Sequence, residues 1–225
     1  TGKPLQAVEL YRKANRHTEA ARLLIKMANE AGAKRSAPLR AKKLFVFAAI
    51  EVMRTRELLL EKGGGGGGAG GAAQTLASLV DQDAATGTDR TLDNAWRGAE
   101  AYHFLMLAQR QLHAGAHFAS MRTAIRLREY EGVLAADEVN ALIALAAFYA
   151  KHYWQASKAF VKLLSLRMPD AKKAELDKLV LSVFTRFEPA DPAGGECIGC
   201  PSCGATLRAW DTRCDDCGAT FGACI

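Results

Sequence analysis

The chain has 225 residues, 49% of them hydrophobic, and its 30 basic and 24 acidic residues leave a formal charge of +6. No apolar run approaches the roughly 20 residues of a membrane-spanning helix. That excludes a transmembrane segment and leaves a chain able to bury a core. The basic residues are mixed with acids, as in Arg12 and Lys13 near Glu9 and Glu19, or Lys172 and Lys173 near Glu175 and Asp177. Nucleic-acid binders gather their basic residues on one face or stripe, so this distribution reads as a solvated helical surface with no nucleic-acid partner.

The sequence begins at Thr1 within helical sequence, with no initiator Met, no basic n-region and no apolar h-region. No signal peptide is visible. It reads as a piece of a longer protein, with any upstream targeting information outside it.

Residues 1–62 are expected to be helical repeats. Leu10, Ala14, Ala20, Leu23, Leu24 and Met27, then Leu44, Phe45, Phe47, Ala48 and Val52, recur at helical spacing. Asn15–Arg16–His17 suits a tight turn between two helices, with Thr18 as the N-cap of the second. Gly32 and Pro38 mark a further break. Residues 63–90 begin GGGGGGAGGAA. Consecutive glycines lose maximal backbone entropy on folding, so this is predicted to be a flexible insertion, with a short helix over Thr75–Gln82. It is no phosphate loop, because the Gly-Lys-Ser/Thr ending and a preceding strand are missing.

Residues 91–188 return to helical repeats. Thr91 or Asp93 is placed as the cap of a long helix through Gln111, with Gly115 ending it. Further helices are expected over His117–Arg128, from Asp137, over Gln155–Leu166, and from Pro169–Asp170 to about Phe187. The period-two alternation of strands is absent before residue 190.

One spacing recurs three times: His17, Ala20, Leu24, Met27; His117, Ser120, Ala124, Leu127; and Tyr153, Ala156, Phe160, Leu163. An aromatic or His after a turn, a small residue three later and a large apolar one four beyond is the tetratricopeptide-like hairpin pattern. Asn15, Gly115 and Lys151 occupy equivalent turn positions. The proline closing a full motif is missing, and the hairpins do not keep one period. The fold class is therefore mainly α, a solenoid of tetratricopeptide-like helical hairpins. Such units stack to bury their apolar faces, and the stacked surface binds partners.

Residues 189–196 form a Pro- and Gly-bearing linker. Residues 197–225 hold all six cysteines of the chain. A secreted disulfide scaffold spreads its cysteines through the fold, so this clustering points to a reducing, cytoplasmic setting and a local metal site. Cys200-Pro-Ser-Cys203-Gly and Cys214-Asp-Asp-Cys217-Gly are two C-x-x-C-G knuckles. Each can turn two sulfurs onto one ion, and zinc takes four such ligands at tetrahedral corners. Cys200, Cys203, Cys214 and Cys217 are the predicted ligands of one structural zinc in a zinc-ribbon-like module. Gly204 and Gly218 are expected at positive φ. Thr206–Trp210 is expected to form a short hairpin, with Trp210 covering the small core. Four thiolates leave no open coordination position, so the zinc is structural, and it carries the folding of a module too small for its own core. An iron–sulfur cluster on Cys197, Cys200 and Cys203 is the competing metal reading. Cys197 and Cys224 have no assigned role.

No nucleophile stands at a meaningful spacing from a base, so no catalytic residues and no organic cofactor are expected. His103, His113 and His117 form a conceivable metal or catalytic cluster, but read better as packing histidines. Trp96 is expected in the core with Ala99 and Tyr102. Trp154 is either exposed to a partner or packed.

The segment Leu92–Gly115, LDNAWRGAEAYHFLMLAQRQLHAG, resembles the C-terminal part of the WD-repeat subunits of intraflagellar transport complex A. LREYEG (Leu127–Gly132), SKAFVKLLSL (Ser157–Leu166), AKKLFVFAAIEV (Ala41–Val52) and the two terminal knuckles fit the same region. The resemblance implies a non-enzymatic scaffold whose partners are the other complex A subunits and ciliary cargo adaptors. It implies a cilium, flagellum or basal-body location, and a role in retrograde ciliary transport and entry of membrane proteins into cilia. A zinc ribbon that binds nucleic acid, on a helical-repeat protein of pI ≈ 9.1, is the alternative.

Overall fold

A computed structural model describes residues 4–63, 88–190, 197–208, 211 and 213–221. The expected helix over 75–82, Trp210 and Cys224 lie outside the described residues. Eight α-helices are described: α1 Pro4–Lys13, α2 His17–Ala33, α3 Pro38–Gly63, α4 Thr88–His113, α5 His117–Arg126, α6 Ala136–Tyr149, α7 Tyr153–Ser165 and α8 Asp170–Phe184. A 3₁₀ turn, Leu127–Tyr130, continues α5. A two-stranded sheet, β1 Cys197–Gly199 and β2 Thr206–Arg208, follows. No described helix is long and apolar enough to cross a membrane.

The mainly α, tetratricopeptide-like reading holds, and the three-fold spacing has a backbone counterpart. Asn15, Gly115 and Lys151 have φ of 54°, 78° and 63°. At each, the positive-φ N–H bonds back three residues (Asn15 to the Arg12 carbonyl, Gly115 to Leu112, Lys151 to Phe148). The next N–H reaches back five (Arg16 to Tyr11, Ala116 to Gln111, His152 to Ala147). These paired bonds satisfy carbonyls that a helix end leaves open, in the Schellman arrangement. The small residue that follows, Ala20, Ser120 or Ala156, is fully buried at 0% exposure in all three hairpins. Ser120 keeps its hydroxyl satisfied by donating to the Ala108 carbonyl at 2.8 Å. Leu24, Ala124 and Phe160 are buried one turn on, as are Met27, Leu127 and Leu163.

Two of these turns use residues with a Cβ in the left-handed region, where glycine is preferred. Lys151→Gly is accordingly expected to stabilise the fold by about 0.5–1 kcal/mol. A higher urea midpoint at unchanged slope is the reading that checks it.

The chain divides into two compact units, Thr1–Met106 and Leu107–Ile225, with the division inside α4. In the first unit, α2 and α3 bury Ala21, Leu24 and Ala28 with Ala41, Phe45, Ala48 and Val52. Phe45 stacks on Tyr102 of α4, centroids 5.9 Å apart. Gly98 makes this approach possible, since a Cβ there would lie 2.5 Å from the Phe45 ring. Polar contacts centre on Glu51, whose side chain is 5% exposed. It takes Arg12 of α1 at 3.0 Å, His17 of α2 at 2.8 Å and Arg54 of its own helix at 3.2 Å. One carboxylate thus ties three helices together. In the second unit, Met121, Val139, Ile143, Ala147 and Ala159 form the buried centre between α5, α6 and α7.

Several local expectations are corrected. Thr18 does not cap α2, because the helix opens at His17 with Arg16 at the cap and no side-chain cap bond. The first turn is closed instead by the Ala20 N–H to the Arg16 carbonyl, and Arg16 pairs with Glu19 at 2.7 Å. That pair holds the Glu19 carboxyl below its ordinary range, chiefly through the Arg16 hydrogen bond. Trp96 is 45% exposed rather than in the core, because it shares the polar face of α4 with Asp93 and Glu100 one turn either side. Trp154 is half-buried, with Lys158 Nζ 5.0 Å from its ring centre. His103 and His117 are engaged in packing contacts. His103 Nδ1 accepts from Lys42 Nζ at 3.0 Å, and His117 stacks on Tyr149 at 5.1 Å.

Candidate metal centre

The four predicted cysteines come together from two turns of the same design. In the first, the Cys200 N–H donates to the Ala205 carbonyl at 2.7 Å, and the Gly204 N–H returns to the Cys200 carbonyl at 2.8 Å. In the second, the Cys214 N–H donates to Ala219 at 2.8 Å, and Gly218 to Cys214 at 2.9 Å. Gly204 and Gly218 have φ of 77° and 72°, as the knuckle geometry requires. β1 and β2 flank the first turn as an antiparallel pair, with Cys197 opposite Arg208 and Gly199 opposite Thr206. A single bridge, Arg213 to Thr220, flanks the second. Between them Asp211 bonds back to Arg208 twice, its N–H donating to the Arg208 carbonyl at 3.0 Å and its carboxylate accepting the Arg208 N–H at 2.8 Å.

The sulfurs approach across the two knuckles. Cys200 Sγ lies 3.6 Å from Cys217 Sγ, and Cys203 Sγ lies 3.6 Å from Cys214 Sγ. All four ligand atoms fall within 4.8 Å of one another. A disulfide needs about 2.05 Å, so neither pair is bonded. A tetrahedron with Zn–S bonds of about 2.3 Å has S···S edges near ~3.8 Å. The two measured edges lie close to that value, and the donor set is the one tetrahedral thiolate metals take. The residues present therefore fit a single tetrahedral ion.

Electrostatics points the same way. Burial opposes ionisation of Cys200, but the Cys203 and Ser202 N–H groups and the neighbouring thiols outweigh it and bring the thiol down to about 6. At Cys203 the Ala205 N–H favours the thiolate, yet burial and the three surrounding sulfurs push the thiol up to about 12. Cys217 is also raised, against the pull of the Ala219 N–H. One thiolate forms readily, and its charge then holds protons on its neighbours. A cation at the centre removes that conflict.

Cys197 is exposed and stands outside the group of four, so the fold does not assemble the Cys197–Cys200–Cys203 set of the iron–sulfur reading. The small core under the site is Cys200, Leu207 and Cys214, with Ala205, Ala219 and Phe221 packed against it. Phe221 is the residue that knuckle spacing alone missed. Its signal was present in the sequence. CPSCGATL (Cys200–Leu207) and CDDCGATF (Cys214–Phe221) share the pattern C-x-x-C-G-A-T followed by a large apolar residue, which makes Phe221 the counterpart of Leu207.

A family model described as "IFT121-like, TPR repeats" matches residues 93–191. A second, "WD repeat-containing protein 35, TPR repeats", matches residues 1–54. The chain belongs to the WD repeat-containing protein 35/IFT121-like family. WD repeat-containing protein 35 of Rattus norvegicus and of Mus musculus are each 42% identical to it over 192 residues, and that of Homo sapiens is 41% identical. The alignments cover 84% of this chain and 16% of each relative. The chain thus corresponds to a small part of the length of these WD repeat-containing proteins. Both family models describe the matched parts as TPR repeats, in agreement with the Schellman-turned hairpins.

Proposed function

We propose that this chain is a non-enzymatic scaffold segment of an intraflagellar transport complex A subunit. Its helical hairpins dock sister subunits and cargo adaptors, in service of retrograde ciliary transport and entry of membrane proteins into cilia. The location that follows is the cytoplasm, the basal body and the cilium or flagellum. The observation carrying this reading is family membership across both helical stretches, joined to stacked hairpins of the kind that offer binding surfaces. One zinc, held by Cys200, Cys203, Cys214 and Cys217, folds the terminal ribbon as part of the docking surface. Supporting zinc is the closed four-sulfur geometry, which leaves no position for a reacting water.

The nucleic-acid alternative draws less support. In the described ribbon Arg208 and Arg213 are accompanied by Asp211, Asp215 and Asp216, so no basic stripe forms there. Co-precipitation of reconstituted complex A subunits with this chain is the test. Capture by the native chain, and its weakening by Cys200→Ser/Cys203→Ser, is the expected result. Unchanged capture by that variant would leave the zinc end without an assembly role.

A further inference from the structure

We propose that the outward face of α3 is a docking surface for an amphipathic helix with acidic flanks, contributed by a partner protein. This rests on the scaffold reading and adds a surface and a partner chemistry to it. α3 is apolar on two opposite sides. Ala41, Phe45, Ala48 and Val52 are buried on one. At about 100° per residue, Leu39, Val46, Phe47, Ile50 and Met53 fall on the other. There Leu39 is 52% exposed, Phe47 54%, Ile50 36% and Met53 45%, and Val46 is half-buried. A surface helix ordinarily places polar residues opposite its core stripe. Single exposed apolar residues are common. A row of them with helical spacing, running for roughly 20 Å at about 1.5 Å per residue, is a contiguous patch of the kind that marks an interaction site.

Charge selects the occupant. From Pro38 to Ile50 the helix carries Arg40, Lys42 and Lys43 and no acidic residue. Lys42 turns to His103 and Arg54 to Glu51, which leaves Arg40 and Lys43 beside the apolar row. Glu51 is buried among its own cations, and the one exposed acid on this face among the described residues of α3, Glu57, lies one turn beyond Met53, past the end of the row. A second copy of the same face would bring like charges together. A helix with apolar anchors at i, i+3, i+4 and i+7, bordered by Asp or Glu, meets both features of the surface.

The test uses the full chain and a labelled synthetic amphipathic helix with Leu anchors and Glu flanks, against the same peptide with Lys flanks, read by fluorescence anisotropy. The expected result is binding of the Glu-flanked peptide at least about tenfold tighter than the Lys-flanked one. Phe47→Glu/Ile50→Glu should weaken it by about tenfold or more, at an unchanged circular-dichroism melting curve, because both side chains are exposed. Equal affinity for the two peptides, or wild-type affinity in the double variant, overturns the proposal. So does a dimer in sedimentation that the double variant dissolves, which would assign the face to a second copy. In the subunit co-precipitation, equal capture by wild type and double variant removes this surface only. A wild-type chain that captures no subunit removes the scaffold reading itself.

Discussion

Cys214→Ser is expected to abolish stoichiometric zinc binding and unfold the terminal ribbon, while the helical hairpins stay folded. Cys214 is 1% exposed and is both a proposed zinc ligand and part of the ribbon's core. Serine offers a hard oxygen where a soft thiolate is needed, and its hydroxyl stays protonated at neutral pH. The remaining core is Cys200, Leu207 and their few neighbours, too little to fold unaided. Metal affinity should fall by well over about a hundredfold, more than the loss of an outer-shell partner costs. Elemental analysis should give one zinc per native chain and close to none in the variant. Amide chemical shifts of 197–221 should collapse to random-coil positions, while far-ultraviolet circular dichroism stays nearly constant. Because the proposed ligands would bind as thiolates, lowering the pH should release the metal from the native chain as protons compete for sulfur. A folded, dispersed ribbon in metal-free Cys214→Ser would show that the metal is not what folds it.

Glu51→Ala is expected to destabilise the first unit by about 2 kcal/mol. Breaking a buried ion pair typically costs about 3–5 kcal/mol. Arg12 and Arg54 are each 43% exposed, so water screens part of the loss and the figure is discounted accordingly. His17, at 10% exposure, has no such relief. Three cationic or hydrogen-bonding groups from three helices would then face one another with no carboxylate between them. Glu51→Gln keeps shape and acceptor capacity and should cost less. Urea unfolding followed by helical signal measures both; a loss below about 0.5 kcal/mol in the alanine variant would mean that the node contributes no more than an ordinary surface pair.

The features legible in the sequence were those fixed by short-range spacing. The post-turn aromatic or His, the small residue three later and the apolar residue beyond are all neighbours along one helix, so their burial could be read from periodicity. The four cysteines were legible for the same reason, since each knuckle is a local turn. What escaped depends on contacts distant in sequence. Glu51 reads as one more charge in a mixed helix until α1 and α2 bring Arg12 and His17 to it. Spacing along α4 groups Trp96 with Ala99 and Tyr102, yet only those two are buried, because which side of α4 meets the core is set by the packing of Phe45 of α3 against Gly98 and Tyr102. The N-cap was misplaced by two residues because Thr18 has the right chemistry, whereas the turn at Asn15 fixes where the helix opens.

The shared turn geometry also bears on how such a chain tolerates change. In all three hairpins the hand-over between helices is written in backbone hydrogen bonds, not side-chain chemistry. Asn, Gly and Lys all serve at the same φ. Substitutions can therefore drift through these corners, while an added residue would break both bonds at once. The glycine-rich stretch falls between α3 and α4, where none of the three Schellman corners lies. Lengthening a plain connection is cheap, about 0.6 kcal/mol per doubling. Insertions over evolutionary time should thus gather between hairpins and spare their corners, so that chains in this lineage vary in length by whole connecting segments while the hairpins keep their size.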